Sequence, residues 1–314
     1  MAQSTLYFPF FVPPVTGGDF VVIDHIAGLN RLGFDARALY FGADQRHLDF
    51  SVPAAVAGQV GLKPNDIVVI GEIHKSLFHQ IRSVNCTKVM HNQNPYYTFY
   101  GFDSVQQLND YPLSYIIVPS DFTKNRLLDM GVSKSIRRVH PVIPSYFAPG
   151  DKRLQIAFSP IKRPQEVAFI IGSFKSQHPE FADVAWLALS KMSREACAQI
   201  MAQSAVYAAF AMLEGLGLMS LEAMASGCQV VGYTGNGGSE YANDDNGHWI
   251  EEGKHEIFVQ KLSECCHRAR SGMHDPRVET GMGTARAYSL ENFETQLQET
   301  YLEIMGADAD KFRK

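Results

Sequence analysis

The chain has 314 residues, 46% hydrophobic and 19% charged, with a formal net charge of −5. That is the composition of a soluble globular protein long enough for two domains with their own cores. Residues 1–150 hold 12 basic and 11 acidic side chains and residues 151–314 hold 16 and 22, so no basic excess argues for nucleic acid. Five cysteines, an odd number without C-x-x-C spacing, fit a reduced cytoplasmic chain. No stretch approaches the roughly 18 apolar residues of a membrane span. The proline-broken start lacks the basic region of a signal peptide.

Leu6–Val12 reads as a first strand, Pro13–Gly18 as a turn-rich loop, and Asp19–Leu32 as a helix that Gly33 stops. With Ala36–Phe41 as the next strand this is a βαβ unit. Its Gly17-Gly18 loop lies at the carboxyl end of a strand, where open α/β sheets bind ligands. Asp66–Gly71 and Thr87–His91 read as buried parallel strands. The second ends in His91-Asn-Gln-Asn-Pro-Tyr-Tyr97, a polar and aromatic cluster in a site-like position. His91 is either a ligand contact or a turn histidine, with nothing to favour one. Tyr115–Pro119 is a strand, and Ser120–Gly131 a capped helix with a glycine stop. Lys124, Arg126, Lys134, Arg137 and Arg138 read first as solvated charge, and second as a patch for anionic lipid or a lipid-diphosphate acceptor. The prolines of Val139–Pro149 put a domain boundary near 148–152.

Gln155–Ser159 opens the second domain as a strand. Lys162 and Arg163 stand between it and a helix running to about Lys175, well placed to grip a diphosphate, with Arg163 slightly preferred. Val184–Leu189 is a strand, Met192–Gln203 a helix capped by Ser193, and Tyr207–Leu213 a strand. Beyond a strand at 229–233 comes Gly237-Gly238-Ser-Glu240. Residues 246–252 suit an edge strand, and Glu256–Arg270 and Leu290–Ile304 suit surface helices. Ala307–Lys314 reads as a frayed tail.

The most specific stretch is Glu214-Gly-Leu-Gly-Leu-Met-Ser-Leu-Glu222-Ala-Met-Ala-Ser-Gly227-Cys-Gln-Val-Val. It reads as strand, glycine loop, helix, glycine stop, strand. A helix starting near Gly217 offers free N–H groups and a positive dipole end to a phosphate, and glycines let the ligand approach. Glu214 and Glu222 are suited to bond hydroxyl pairs of a sugar or a ribose. The run resembles the E-x7-E motif of retaining GT-B glycosyltransferases, in particular the family 4 group of bacterial surface-polysaccharide enzymes, whose typical string is E-G-F-G-L-P-x-L-E-A-M-A-x-G-x-P-V-V. Leu216, Met219 and Gln229 depart from it; both glutamates and the glycines at 215, 217 and 227 match.

The resemblance implies an α/β GT-B fold: two Rossmann-like domains with parallel sheets facing across a cleft. Residues 1–149 would be the acceptor-side domain and 150–314 the nucleotide-sugar-binding domain, with the helix at about 290–304 a candidate to pack back on the first. The implied activity is retaining transfer of a hexose from a nucleotide diphosphate sugar to a saccharide or lipid-linked acceptor in cell-surface polysaccharide biosynthesis. Glu214 and His91 would be the catalytic contacts, and Gly17, Gly18, Lys162, Arg163, Leu216, Gly217, Leu218 and Glu222 would bind the donor. Front-face attack is implied, the leaving phosphate helping to take the acceptor's proton. A nucleotide-sugar epimerase, a phosphorylase and a non-catalytic nucleotide-sugar-binding subunit are the alternatives. Asp308-Ala-Asp310 has the D-x-D form of metal-dependent GT-A enzymes, but it lies in the tail with no preceding strand. No metal site and no cofactor are expected. The expected location is cytoplasmic, with peripheral contact at the inner face of the membrane as an option, and no nucleic acid partner.

Overall fold

In the computed structural model, residues 3–11, 16–41 and 51–314 are described. Short apolar runs bounded by glycine and polar residues become strands, and every strand pairing among these residues is parallel. Two units result: Met1–Val142 with Glu291–Lys314, and Ile143–Leu290. The division falls earlier than residue 149, and the last helix belongs to the first unit.

The first unit runs β1 (Leu6–Phe10), α1 (Gly17–Arg31), β2 (Ala36–Tyr40), β3 (Ala54–Val56), β4 (Ile67–Gly71), α2 (Lys75–Gln80), β5 (Thr87–His91), α3 (Thr98–Gly101), α4 (Val105–Asp110), β6 (Tyr115–Val118), α5 (Asp121–Asp129) and β7 (Ser135–Arg138). Its sheet has the order β3-β2-β1-β4-β5-β6-β7. The order reverses between β1 and β4, which makes the carboxyl ends of those strands the ligand crevice of a doubly wound sheet. Alternation divides the strand residues between two cores: Ile67, Val69, Val89 and Ile117 on one face, Val68, Ile70, Met90, Ile116 and Val118 on the other.

The second unit runs β8 (Arg153–Phe158), α6 (Pro164–Gln177), β9 (Ala185–Ala188), α7 (Arg194–Gln203), β10 (Ser204–Glu214), α8 (Leu218–Ala225), β11 (Gln229–Asn236), β12 (His248–Trp249), α9 (His255–Ser271) and α10 (Pro276–Arg286). Its sheet order, β12-β11-β10-β8-β9, reverses between β8 and β10. The segments after those two strands carry Lys162, Arg163 and the Glu214 loop.

The chain returns to the first unit through α11 (Leu290–Met305), whose Phe293, Leu297, Tyr301 and Met305 join the core of β1, β2 and β4. Gly28 of α1 permits this approach, because a Cβ there would lie 2.7 Å from Leu297 Cδ2.

Two local expectations are corrected. The helix α1 begins at Gly17, not Asp19, since Thr16 and Asp19 form a reciprocal capping box around its first turn. Val12 and Pro13–Val15, assigned to strand and loop, lie outside the described residues. The tail is ordered rather than frayed: Phe312 is 1% exposed in the core, Phe34 bridges Arg313, and Lys314 N–H donates to Gly33 O at 3.0 Å. The helix α10 was not foreseen, although Asp275-Pro276 is a cap followed by a first-turn proline.

A lysine ties the second unit's helix ends together. Lys152 Nζ donates to Met201 O at 3.0 Å, Ser204 O at 2.9 Å and Ser226 O at 2.6 Å, all at the carboxyl termini of α7 and α8, where the helix dipole favours a cation. Burial lowers its pKa, opposed by the Cys228 thiol. Replacing Lys152 by Met removes these bonds. Chemical denaturation of the variant is expected to show a loss of about 1.5 kcal/mol, the low end for bonds to a charged group, since the lysine stem is exposed.

Candidate functional site

At its carboxyl end β10 breaks its own ladder. It pairs in register with β11 from Val206↔Gln229 to Ala211↔Thr234, then shifts before Glu214↔Asn236. Leu213 takes a left-handed φ of 51°, a conformation that costs a branched residue energy and persists only where the surroundings impose it. The next turn is glycine-dependent. Gly217 has φ 86° and caps α8 without a side chain, so the first N–H groups of α8 carry no side-chain cap. Tyr241, whose phenol burial keeps protonated, donates its Oη–H to Gly217 O at 2.7 Å and fixes that cap. A Cβ on Gly237 would lie 2.5 Å from Glu214 O, so the Gly237-Gly238 segment closes on the loop as only glycine can.

Into this end of the sheet project the two cations that follow β8. Lys162 Nζ stands 2.7 Å from Glu214 Oε1 and donates to Met212 O at 3.1 Å; both side chains keep partial exposure, 32% and 25%. Arg163 is differently employed. Its Nε donates to Ala211 O at 3.0 Å, one terminal nitrogen to Glu166 at 2.8 Å and the other to Glu252 at 2.6 Å, and it stacks 4.7 Å above the Tyr233 ring. Glu166 also accepts Tyr233 Oη–H at 2.7 Å and contacts His255 Nε2 at 2.8 Å. Burial works against ionising Glu166, but these bonds outweigh it and hold the carboxyl below its ordinary range. Adjacent in sequence, the two cations thus divide: Lys162 faces Glu214, and Arg163 is tied into the network joining α6, β11 and the segment before α9.

Glu222 lies on α8 with its side chain 8% exposed, its Oε1 3.1 Å from Nε of Arg194, which is 11% exposed. Arg194, at the start of α7 just past the Ser193 cap, escaped the sequence reading. A cation at the head of a capped helix after a strand was the available signal. Glu214, Lys162, Leu216, Gly217, Leu218 and Glu222 are therefore gathered at the switch point of the second sheet, with Arg163 beside them.

Gly17, Gly18 and His91 belong to the first unit. Gln93 Nε2 donates to Gly18 O at 3.1 Å, joining the segment after β5 to the first turn of α1. His91 is 1% exposed and its ring lies 4.6 Å from that of His25 on α1. Among the described residues neither ring has a hydrogen-bond partner. Burial pushes His91 down to about 4 and His25 well below its ordinary value, so both are neutral near pH 7. It is a buried ring at the end of β5, packed against a second one.

Among the described residues no three His, Cys, Asp or Glu side chains converge on a metal-binding position. Asp308 of the D-x-D sequence is paired with Lys311. No helix among them is long and apolar enough to cross a membrane.

The glycosyl transferases group 1 model matches residues 185–271, from β9 through the end of α9. An alpha-1,6-glucosyltransferase of Actinobacillus pleuropneumoniae serotype 7 (strain AP76) is 36% identical, covering 98% of this chain and 97% of its own. Anabaena HepE in complex with UDP and glucose superposes with a TM-score of 0.72 at 14% identity, over 96% of this chain and 100% of that one. The pneumococcal O-GlcNAc transferase GtfA with UDP and GlcNAc gives 0.72 at 11%, over 97% and 99%. An S. aureus TarM variant with Fondaparinux, alpha-GlcNAc-glycerol and UDP gives 0.76 at 9%, over 97% and 100%. At these identities the structural likeness is one of fold. Together with the near-full-length relative, it establishes that this chain belongs to the glycosyl transferases group 1 family, retaining glycosyltransferases of the GT-B fold.

Proposed function

We propose that the enzyme moves glucose from UDP-glucose, with retention at the anomeric carbon, to the 6-hydroxyl of a hexose-bearing acceptor. The relative named an alpha-1,6-glucosyltransferase supports the sugar and the linkage, which requires an acceptor with a 6-hydroxyl. Structures of the same fold that contain UDP, one with glucose, support the donor. The carrying observation is the Lys162–Glu214 pair at 2.7 Å beside the uncapped start of α8. An ammonium and a helix N-terminus meet a departing diphosphate, while a carboxylate stands ready for the hydroxyls of the transferred sugar.

In this reading Lys162 and the N–H groups of Leu218 and its neighbours bind the diphosphate, with Arg163 keeping the segment in place. The bond from the anomeric carbon to the phosphate oxygen breaks as the bond to the acceptor oxygen forms on the same face. The acceptor's proton passes to the leaving phosphate. Glu214 orients the sugar and Glu222 the ribose. Gly17 and Gly18 at the start of α1 are the first unit's phosphate-side contacts. His91, with both ring nitrogens buried against His25, is given no contact with the sugar. The first unit is the acceptor side and the second the nucleotide-sugar side. The motif's resemblance to surface-polysaccharide enzymes supports a saccharide or lipid-linked acceptor at the cytoplasmic face of a membrane. Product analysis separates transfer from epimerisation or mere binding.

The two glutamates have separable roles. Glu222→Gln keeps an acceptor for Arg194 but removes the charge that bonds ribose. Calorimetry with UDP should show about tenfold weaker binding, ~1.4 kcal/mol. Glu214→Gln releases Lys162 from its partner, so UDP should bind as well as to the unaltered enzyme or more tightly, while kcat with UDP-glucose falls by about a hundredfold. Equal loss of UDP affinity in both variants would overturn the assignment. Because the leaving group is met by Lys162 and α8, transfer should also survive EDTA; loss on chelation restored by Mn²⁺ or Mg²⁺ would contradict this.

A further inference from the structure

Glu72 follows the last residue of β4, beside the switch point between β1 and β4, and is 4% exposed. Its Oε1 accepts the N–H of Asn94 at 3.0 Å, and its own N–H donates to His91 O at 3.3 Å. Asn94 Oδ1 in turn accepts Tyr96 N–H at 3.1 Å, and Asn92 Nδ2 donates to Thr98 Oγ1 at 2.7 Å. Gly101 of α3 packs so closely that a Cβ would lie 2.0 Å from Glu72 O. The same turn sends the Gln93 side chain to Gly18 O in the first turn of α1. The Glu72 carboxyl therefore holds the turn at Asn94, while its backbone meets His91 at one end of the connection and Gly101 at the other. An amide would satisfy the same N–H without an ionisable group in the interior, so a stabilising role alone does not account for a carboxyl there.

We propose that Glu72 is a positioning residue: its carboxyl group latches the turn after β5 to the end of β4, and through Gln93 it sets the first turn of α1. The consequence for catalysis rests on the reading of Gly17 and Gly18 as donor contacts; the latch itself does not.

Burial pushes the Glu72 carboxyl up to about 7, only partly offset by backbone N–H groups of Glu72, Gln93 and Asn94. The closed turn thus prefers the protonated acid, whereas an opened turn returns the group toward its ordinary value of 4.5. The closed turn binds more protons than the open one between these values, so it is most stable at acid pH and loosens as pH rises toward 7. The titratable or charged groups on the surrounding elements are His74 after β4, His91 on β5, Asp19 and His25 on α1, Lys75 of α2 paired with Asp103, and Tyr97 and Tyr100 around α3. Burial lowers all three of these histidines below their ordinary value and so favours their neutral forms beside Glu72.

Glu72→Gln has the shape and the acceptor oxygen of the protonated acid and does not titrate. The test is hydrogen exchange of the full chain from pH 5 to 8, corrected for intrinsic exchange, with both proteins. Peptides covering residues 92–101 should lose about tenfold in protection in the unaltered chain and hold it in Glu72→Gln, while peptides of α8 stay alike. Constant protection in the unaltered chain, or the same loss in Glu72→Gln, overturns the proposal. If the variant does not fold, the pH series of the unaltered chain alone decides. As a second readout, kcat/KM with UDP-glucose and methyl β-glucoside should fall as pH rises from 5 to 7 in the unaltered enzyme and stay level in Glu72→Gln. If no transfer is seen at all, the glucosyltransferase reading fails, and the exchange series still decides the latch.

Discussion

Everything specific in the second unit depends on how β10 ends. An eleven-residue strand carried on in regular register would place Glu214 on one face of the sheet, one more side chain between helices. Instead the ladder with β11 slips after Ala211, Leu213 turns left-handed, and Glu214 leaves the sheet at its carboxyl end. Gly215 and Gly217 complete the reversal into α8, and Gly237 can lie against the loop because it has no side chain. The strain at Leu213 is held by this packing, and its result is a carboxylate 2.7 Å from Lys162.

That pairing gives the site its electrostatic character. Lys162 and Glu214 are about a quarter to a third exposed, so water screens them and their attraction adds little to stability. Such a pair can be opened by a ligand at modest cost, with a diphosphate taking the ammonium and sugar hydroxyls the carboxylate. Arg163 and Arg194 are different, each about a tenth exposed and bound to carboxylates. Charges so enclosed are costly to strip of their partners, which suits them to hold geometry. The network around Glu166 fixes the segment on which Lys162 stands.

Much of this was legible in the sequence where local chemistry and periodicity agreed. Thr87–His91 is a strand with its expected limits, Ser120 caps its helix, and the glycines at 217 and 227 mark the ends of α8 with positive φ. What could not be read depends on contacts remote in sequence. Nothing near His91 announces His25 on α1, and nothing in Lys162-Arg163 says that one cation turns to Glu214 and the other to Glu166 and Glu252. The terminal residues looked disordered because their composition is charged. A single Phe312 buried against the first core orders them. Glu72 drew no notice, since an isolated carboxylate after a strand is ordinarily solvated and only its burial sets it apart.

The central claim is that Lys162, paired with Glu214 in the free enzyme, receives the diphosphate. The most direct measurement is the ratio of uridine to UDP dissociation constants in the enzyme and in Lys162→Met, by calorimetry at fixed ionic strength. Uridine carries the base and ribose but no phosphate, so the ratio isolates what the diphosphate contacts contribute. The account predicts that Lys162→Met lowers the ratio by tenfold or more, ~1.4 kcal/mol, with uridine affinity unchanged. An unchanged ratio would contradict it.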